Sequence, residues 1–165
     1  MVVSQDGAFY RGSWRDGRPQ GRGVWSSPEG WTYEGDFKDG LKDGQGRIEH
    51  AAQRWSYEGA WLADKRSGDG SAVYPDRSVY TGQWAGDRRQ GFGAWAGADG
   101  SSYSGAWVGD LKSGSGKAVY ADGSSYDYGT LDVVCLGMSY GTFRVGRPDA
   151  LEAAAQSSGA VPRAS

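Results

Sequence analysis

The chain of 165 residues holds one histidine, His50, and one cysteine, Cys135. A Ser–His–Asp or Cys–His pair would have to run through His50. Cys135 stands in Leu131-Asp132-Val133-Val134-Cys135-Leu136, the most aliphatic stretch of the chain. It reads there as a small buried hydrophobe rather than a nucleophile. A single cysteine allows no internal disulfide and fits a reducing compartment. No cluster of Cys and His has zinc-ligand spacing. Gly114-Ser115-Gly116-Lys117 hints at a phosphate-binding loop. That motif needs glycine at 111 and Ser or Thr at 118, where Leu111 and Ala118 stand. No catalytic residue, metal ligand or cofactor site is expected, and the chain does not read as an enzyme.

Two other groups of residues could recognise something. Arg18, Lys42, Lys65, Arg66, Arg88, Arg89 and Lys112 recur along the chain in similar polar segments. Lys65, Arg66, Arg88, Arg89 and Lys112 are the candidates for holding anionic phospholipid. The alternative is a solvated edge, because Asp16, Asp39, Asp43, Asp64, Asp87 and Asp110 share those segments and cancel the field. Trp31 and Trp55 form the second group. With Tyr33 and Tyr57 they are the candidate partner-binding residues, since aromatic side chains anchor protein interfaces. The alternative is that they fill space around an irregular segment.

The elements that carry these residues follow from a repeat. Tyr10, Tyr33, Tyr57, Tyr80, Tyr103 and Tyr126 recur about every 23 residues. Two residues after each of the first five stands a glycine, and two further on a ring: Trp14, Phe37, Trp61, Trp84 and Trp107. A Gly-x-Gly pair follows in each unit, from Gly21/Gly23 to Gly114/Gly116. Turn sequences such as Glu29-Gly30, Asp99-Gly100 and Asp122-Gly123 close most units. Tyr-x-Gly-x-Trp alternates with period two, a strand pattern, and so does Gly-x-Gly-x-Trp/Tyr. The six polar residues between them, such as 15–20, predict a hairpin loop. Each unit is thus a β-hairpin, and five of them predict one elongated antiparallel sheet, about 50 Å long at ~4.8 Å per strand.

Composition agrees. The chain has 29 Gly, 8 Trp and 10 Tyr, with a net charge of −2. So many rings at balanced charge argue against simple disorder, and so little Leu, Ile and Val argues against an ordinary core. Glycine in a strand marks close approach, so the glycines beside each Tyr, and both glycines of each Gly-x-Gly pair, are expected to leave slots for rings. Positions 25/27, 72/74, 95/97 and 118/120 trade large for small, as a packed site requires.

The unit closely resembles the MORN (membrane occupation and recognition nexus) repeat. Tyr33-Glu34-Gly35-Asp36-Phe37-Lys38-Asp39-Gly40 followed by Gly44-Gln45-Gly46 carries the likeness best. It covers about residues 6–130. The family often has histidine before the Gly-x-Gly; Gln20, Asp43, Ser67, Gln90 and Ser113 stand here. The second unit has one extra residue and no turn motif in 50–55. The resemblance implies a rod- or groove-like sheet without chemistry of its own. It implies a scaffold for protein–protein interaction in a cytoskeletal, ciliary or membrane-contact assembly. The alternatives it implies are a phosphoinositide- or anionic-membrane-associating module, and an accessory subunit of an enzyme such as a phosphatidylinositol-phosphate kinase. The expected partners are a protein or a second copy, with anionic phospholipid possible in principle and no nucleic acid. The expected location is cytoplasmic, with cytoskeletal or membrane association.

The units are placed at 10–32, 33–56, 57–79, 80–102 and 103–125, within a repeat region 1–130 that has a partial flanking strand. A degenerate capping unit is expected at 126–148. Asp149-Ala150-Leu151-Glu152 has capping-box spacing and predicts a short helix within 149–165, followed by a disordered tail. No stretch is long and apolar enough for a transmembrane helix, and Met1–Asp6 lacks a signal-peptide pattern.

Overall fold

The computed structural model describes residues 2–3, 7–128 and 142–144. They form one 13-stranded antiparallel sheet in which every strand lies beside its sequence neighbours. The strands are β1 (Val2–Val3), β2 (Phe9–Arg15), β3 (Arg18–Ser26), β4 (Trp31–Lys38), β5 (Leu41–His50), β6 (Trp55–Leu62) and β7 (Lys65–Val73). They continue as β8 (Val79–Ala85), β9 (Arg88–Ala96), β10 (Ser102–Val108), β11 (Leu111–Val119), β12 (Ser125–Tyr128) and β13 (Thr142–Arg144). The all-β tandem-hairpin architecture is the one the period predicts. The C-terminal helix expected within 149–165 lies outside the described residues, as does Cys135.

The hairpin loops are shorter than the six residues read from the sequence. Each is a two-residue turn with both residues at positive φ, as in Asp16 (49°) with Gly17 (73°) and Gly86 (55°) with Asp87 (70°). Such turns match the twist of the flanking strands, and Asp tolerates the left-handed region. The strands therefore run through the polar segments almost to the turn.

The two glycines of each Gly-x-Gly pair do different work. In the hairpin of β2 and β3 the register jumps: Gly12 faces Gly23, but Ser13 faces Gln20. Gly21 lies in the extra stretch with φ +67°, and Gly68, Gly91 and Gly114 repeat this at +63°, +67° and +57°. These are bulge glycines, needed for backbone conformation. The expectation that both glycines form a ring slot holds only for the second. A Cβ on Gly116 would lie 2.6 Å from the Tyr103 hydroxyl, and one on Gly105 equally close.

Tyr10, Tyr33, Tyr57, Tyr80 and Tyr103 each lie over such a glycine pair. Tyr33, Tyr57, Tyr80 and Tyr103 are the largest fully buried side chains. Their hydroxyls donate to the carbonyl three residues on, at the register shift: Asp36 (3.0 Å), Ala60 (2.9 Å), Gln83 (3.0 Å) and Ala106 (2.9 Å). A buried phenol without such a bond would be costly. Burial pushes the Tyr57 and Tyr80 hydroxyls up to about 12, with Arg66 and Arg89 respectively pulling the other way.

Candidate interaction site

The tyrosine side of the sheet carries a continuous ladder of rings in edge-to-face contact. Trp61 meets Tyr57 of its own unit and Tyr33 of the preceding one, at centroid distances of 5.2 and 5.5 Å. Trp84 and Trp107 repeat the arrangement. The indole N–H of Trp61, Trp84 and Trp107 donates to the carbonyl of Gly46, Gly70 and Gly93. These are the slot glycines of the preceding unit, so each tryptophan staples two repeats.

Four of the predicted basic residues are part of this ladder. The Arg66 guanidinium lies 4.2 Å from the Trp84 ring centroid and donates to Asp87 Oδ1 at 3.1 Å. Arg89 does the same with Trp107 (4.3 Å) and Asp110 (3.1 Å). Lys42 pairs with Asp64 at 3.3 Å, above Trp61. Lys112 lies 4.9 Å from the Tyr103 ring centroid, and burial, with Arg89 nearby, lowers its pKa. Asp110 is partly desolvated, but the backbone N–H and guanidinium of Arg89 outweigh that and hold its carboxyl below the usual range. Of the six aspartates read as cancelling a field, Asp64, Asp87 and Asp110 are thus specific partners of the preceding unit's cation. The signal was present in the constant spacing from Arg66 to Asp87 and from Arg89 to Asp110. Lys65 and Arg88 are exposed at the same edge.

Trp31 and Trp55 come together at the opposite end of the strands. Trp31 faces His50 and His50 faces Trp55 in register across β4, β5 and β6. The Trp31 ring meets His50 edge-on at 4.8 Å and Trp55 at 5.3 Å. His50, which sequence reasoning considered only as a catalyst, is buried between them. Its Nδ1 accepts from the Gln53 N–H at 3.2 Å, capping a 3₁₀ turn over Ala51–Gln53. That turn accommodates the extra residue of the second unit, and Arg54 ends it at φ 55°. Both tryptophans remain half-buried, whereas Tyr33 and Tyr57 are fully covered.

The later units use the equivalent position differently. Ser78 donates through its N–H (2.9 Å) and hydroxyl (2.7 Å) to Asp76 Oδ1, and Ser124 does so to Asp122. Serine there closes the turn. In the first unit the same backbone bonds as in the later turns close it, Ser27 N–H to Trp31 O at 2.9 Å and Gly30 N–H to Ser27 O at 3.1 Å. Tryptophan at 31 is therefore not required by the turn.

Among the described residues no three His, Cys, Asp or Glu side chains are grouped as metal ligands. Gly114 and Gly116 of the phosphate-loop-like sequence are a bulge glycine and a slot glycine. No helix among the described residues is long and apolar enough to cross a membrane.

A family model described as MORN repeat matches residues 10–32, 33–50, 57–79, 80–102 and 103–125, together more than half of the chain. Alsin from Rattus norvegicus and from Homo sapiens are each 40% identical over 76 residues, which is 44% of this chain and 5% of theirs. The chain thus spans about 5% of the length of these curated relatives.

Proposed function

Because the chain belongs to the MORN-repeat family, we propose that it is a non-catalytic scaffold that binds a protein partner through the Trp31–His50–Trp55 cluster. The observation that supports this is two half-buried tryptophans in mutual contact at a position where the repeat needs only serine. Desolvating such rings against a partner is worth up to several kcal/mol in an interface, on the order of the hot spots known from alanine scanning. Tyr33 and Tyr57 lie beneath the same surface and act by holding it, not by touching the partner. The cluster occupies one end of β4, β5 and β6, which leaves the rest of the array to set distance and orientation. The role in a cytoskeletal, ciliary or membrane-contact assembly belongs to this same reading.

Light scattering and affinity capture test it, with wild type beside Trp31→Ser/Trp55→Ser. A partner or second copy retained by wild type and lost by the variant supports the reading. A strict monomer that captures nothing, or a partner held equally by both proteins, refutes it.

A second reading rests on Lys65 and Arg88, which are exposed and make no ion pair to a carboxylate among the described residues. They would contact anionic phospholipid, with Arg66, Arg89 and Lys112 held behind them by the ladder. Salt-sensitive sedimentation with phosphatidylserine vesicles, lost in Lys65→Glu/Arg88→Glu, is the expected sign; no binding at low salt excludes it.

A further inference from the structure

The face of the sheet away from the tyrosines is not a blank exterior. Three adjoining concavities of about 740, 470 and 310 Å³ run along it, joined through the shared lining residues Thr81, Ala94 and Ser104. Together they form one trough crossing the strands from Arg22 on β3 to Val119 on β11. At ~4.8 Å per strand that is about 40 Å. Its floor is the line of paired glycines, Gly46 and Gly59 at one end and Gly105 and Gly116 towards the other.

The two halves of the trough differ in chemistry. The β3–β7 half is lined by four carboxylates, Glu34, Asp36, Glu58 and Asp69, against two guanidinium groups, Arg22 and Arg47. Arg22 pairs with Glu34 (3.6 Å) and Arg47 with Glu58 (3.5 Å), so the half keeps an acidic excess. The β8–β11 half carries no carboxylate: Val79, Ala94, Ala96 and Val119 line it with Thr81, Ser104 and the single cation Lys117, and Phe92 stands 69% exposed. Apart from Asp36, whose carbonyl takes the Tyr33 hydroxyl and whose carboxylate takes the Gln45 N–H at the bulge, the side chains that set this gradient have no part in the ring contacts and turn bonds described above.

We infer that this trough is a second binding site, for an amphipathic helix whose apolar residues cover the Phe92 half and whose Lys or Arg residues cover the acidic half. A helix suits it for a definite reason. The sheet's backbone groups are already paired within the ladder, so the face offers none to an extended strand, and the occupant must satisfy its own. Forty ångströms is about 25 helical residues at 1.5 Å each, and a glycine floor admits a cylinder closely. Charge complementarity fixes polarity along the trough. This site lies on the face opposite the Trp31 cluster and stands or falls independently of it. With both occupied, the sheet would bridge two partners.

The full chain is titrated by fluorescence anisotropy with a designed helical peptide of about 25 residues, leucines on one face of one half and lysines on that face of the other. Wild type is expected to bind, more weakly at high salt. Phe92→Ser should weaken binding by about tenfold or more, the loss expected on removing a buried ring. Glu58→Lys/Asp69→Lys should weaken it at low salt and instead accept a peptide with Glu in place of Lys. Trp31→Ser/Trp55→Ser should leave this binding unchanged, which separates it from the first site. All substituted positions are exposed or half-buried, and near-UV circular dichroism confirms the fold. Absence of binding, or binding indifferent to Phe92 and to charge reversal, overturns the inference. So does self-association abolished by Phe92→Ser, which would make the occupant a second copy.

Discussion

Replacing Gly70 with alanine should be among the most damaging single-methyl changes in this chain. A Cβ there would lie 2.6 Å from both Cε2 and Cζ of Tyr57. The ring cannot swing aside cheaply. Its hydroxyl is bonded to Ala60 O at 2.9 Å, and Trp61 and Trp84 stand edge-on at 5.2 and 5.3 Å. Overpacking a rigid site costs about 1–3 kcal/mol, and losing the hydroxyl bond in a buried setting about 1–3 more. A total of about 2–6 kcal/mol follows. Gly68→Ala, two residues away, is the comparator: it would strain the backbone at φ +63°, with its nearest neighbour at 3.3 Å. That costs about 1–2 kcal/mol. Urea unfolding followed by near-UV circular dichroism reads both, and a double-mutant cycle separates the causes. With Tyr57→Ala already made, Gly70→Ala should become neutral or stabilising by about 0.5–1 kcal/mol, since alanine outperforms glycine in a strand. Equal costs at 68 and 70, or a penalty at 70 that survives removal of the ring, would refute the slot argument.

Three further outcomes follow from the same contacts. Asp110→Asn should cost about 1 kcal/mol at neutral pH by weakening a charge-assisted bond to Arg89. Because the folded carboxyl titrates below its unfolded value of about 3.9, that contribution is present above this value and lost as pH falls through the lower folded one. Wild-type and variant urea midpoints should therefore converge in acid, and a constant gap would argue against the ion pair. At the alkaline end, Tyr57 and Tyr80 keep their protons to about 12 while unfolded phenols release them near 10.0. Stability should hold below the lower value and fall as pH rises between the two, by about 1.4 kcal/mol per unit for each ring. The part of the tyrosinate absorbance that is absent from Tyr57→Phe/Tyr80→Phe should then rise together with loss of the fold, and its appearance near the lower value with the fold intact would contradict this. Arg77 occupies a left-handed position (φ 68°) where Gly30, Gly100 and Gly123 stand in other units. Arg77→Gly should raise the unfolding midpoint by about 0.5–1 kcal/mol equivalent, and a decrease would show that the arginine side chain has a role in that turn.

The fold was legible because its signals repeat and are local. Five tyrosines with glycine and a ring at fixed offsets specify alternating strands, and alternation specifies faces. What the pattern could not separate was two uses of one residue type. Gly68 and Gly70 look alike in sequence, yet one is chosen for positive φ and the other for a missing methyl. The polar segments misled for a related reason. Lys65 and Arg66 read as loop, but type I′ turns confine the loop to Ala63 and Asp64. Arg66 then lies flat on a tryptophan that belongs to the next unit. Contacts across units carry no adjacent-sequence signature beyond a constant spacing. The Trp31–Trp55 pairing was legible only as an exception to the repeat, and His50 between them was hidden by its greater interest as a possible catalyst.

Besides the contacts inside each unit, three recurring contacts fall on the unit before it. The tryptophan packs on the preceding tyrosine, its N–H reaches the preceding slot glycine, and the turn aspartate takes the preceding cation. A single unit therefore cannot close its own surface, and position in the array alters residues of the same type. Trp84, with a full unit before it, is 4% exposed; Trp14, at the start of the array, is 42% exposed. This directional dependence explains why the ring face is nearly spent on internal contacts. Its tyrosines are covered by tryptophans, and its tryptophans by the preceding unit's cations. Recognition then has to use positions on which the code makes no demand. Trp31 and Trp55, where serine would serve the turn, are one such set. The charge-graded trough on the other face is the second, where the side chains beside the glycine floor vary from unit to unit.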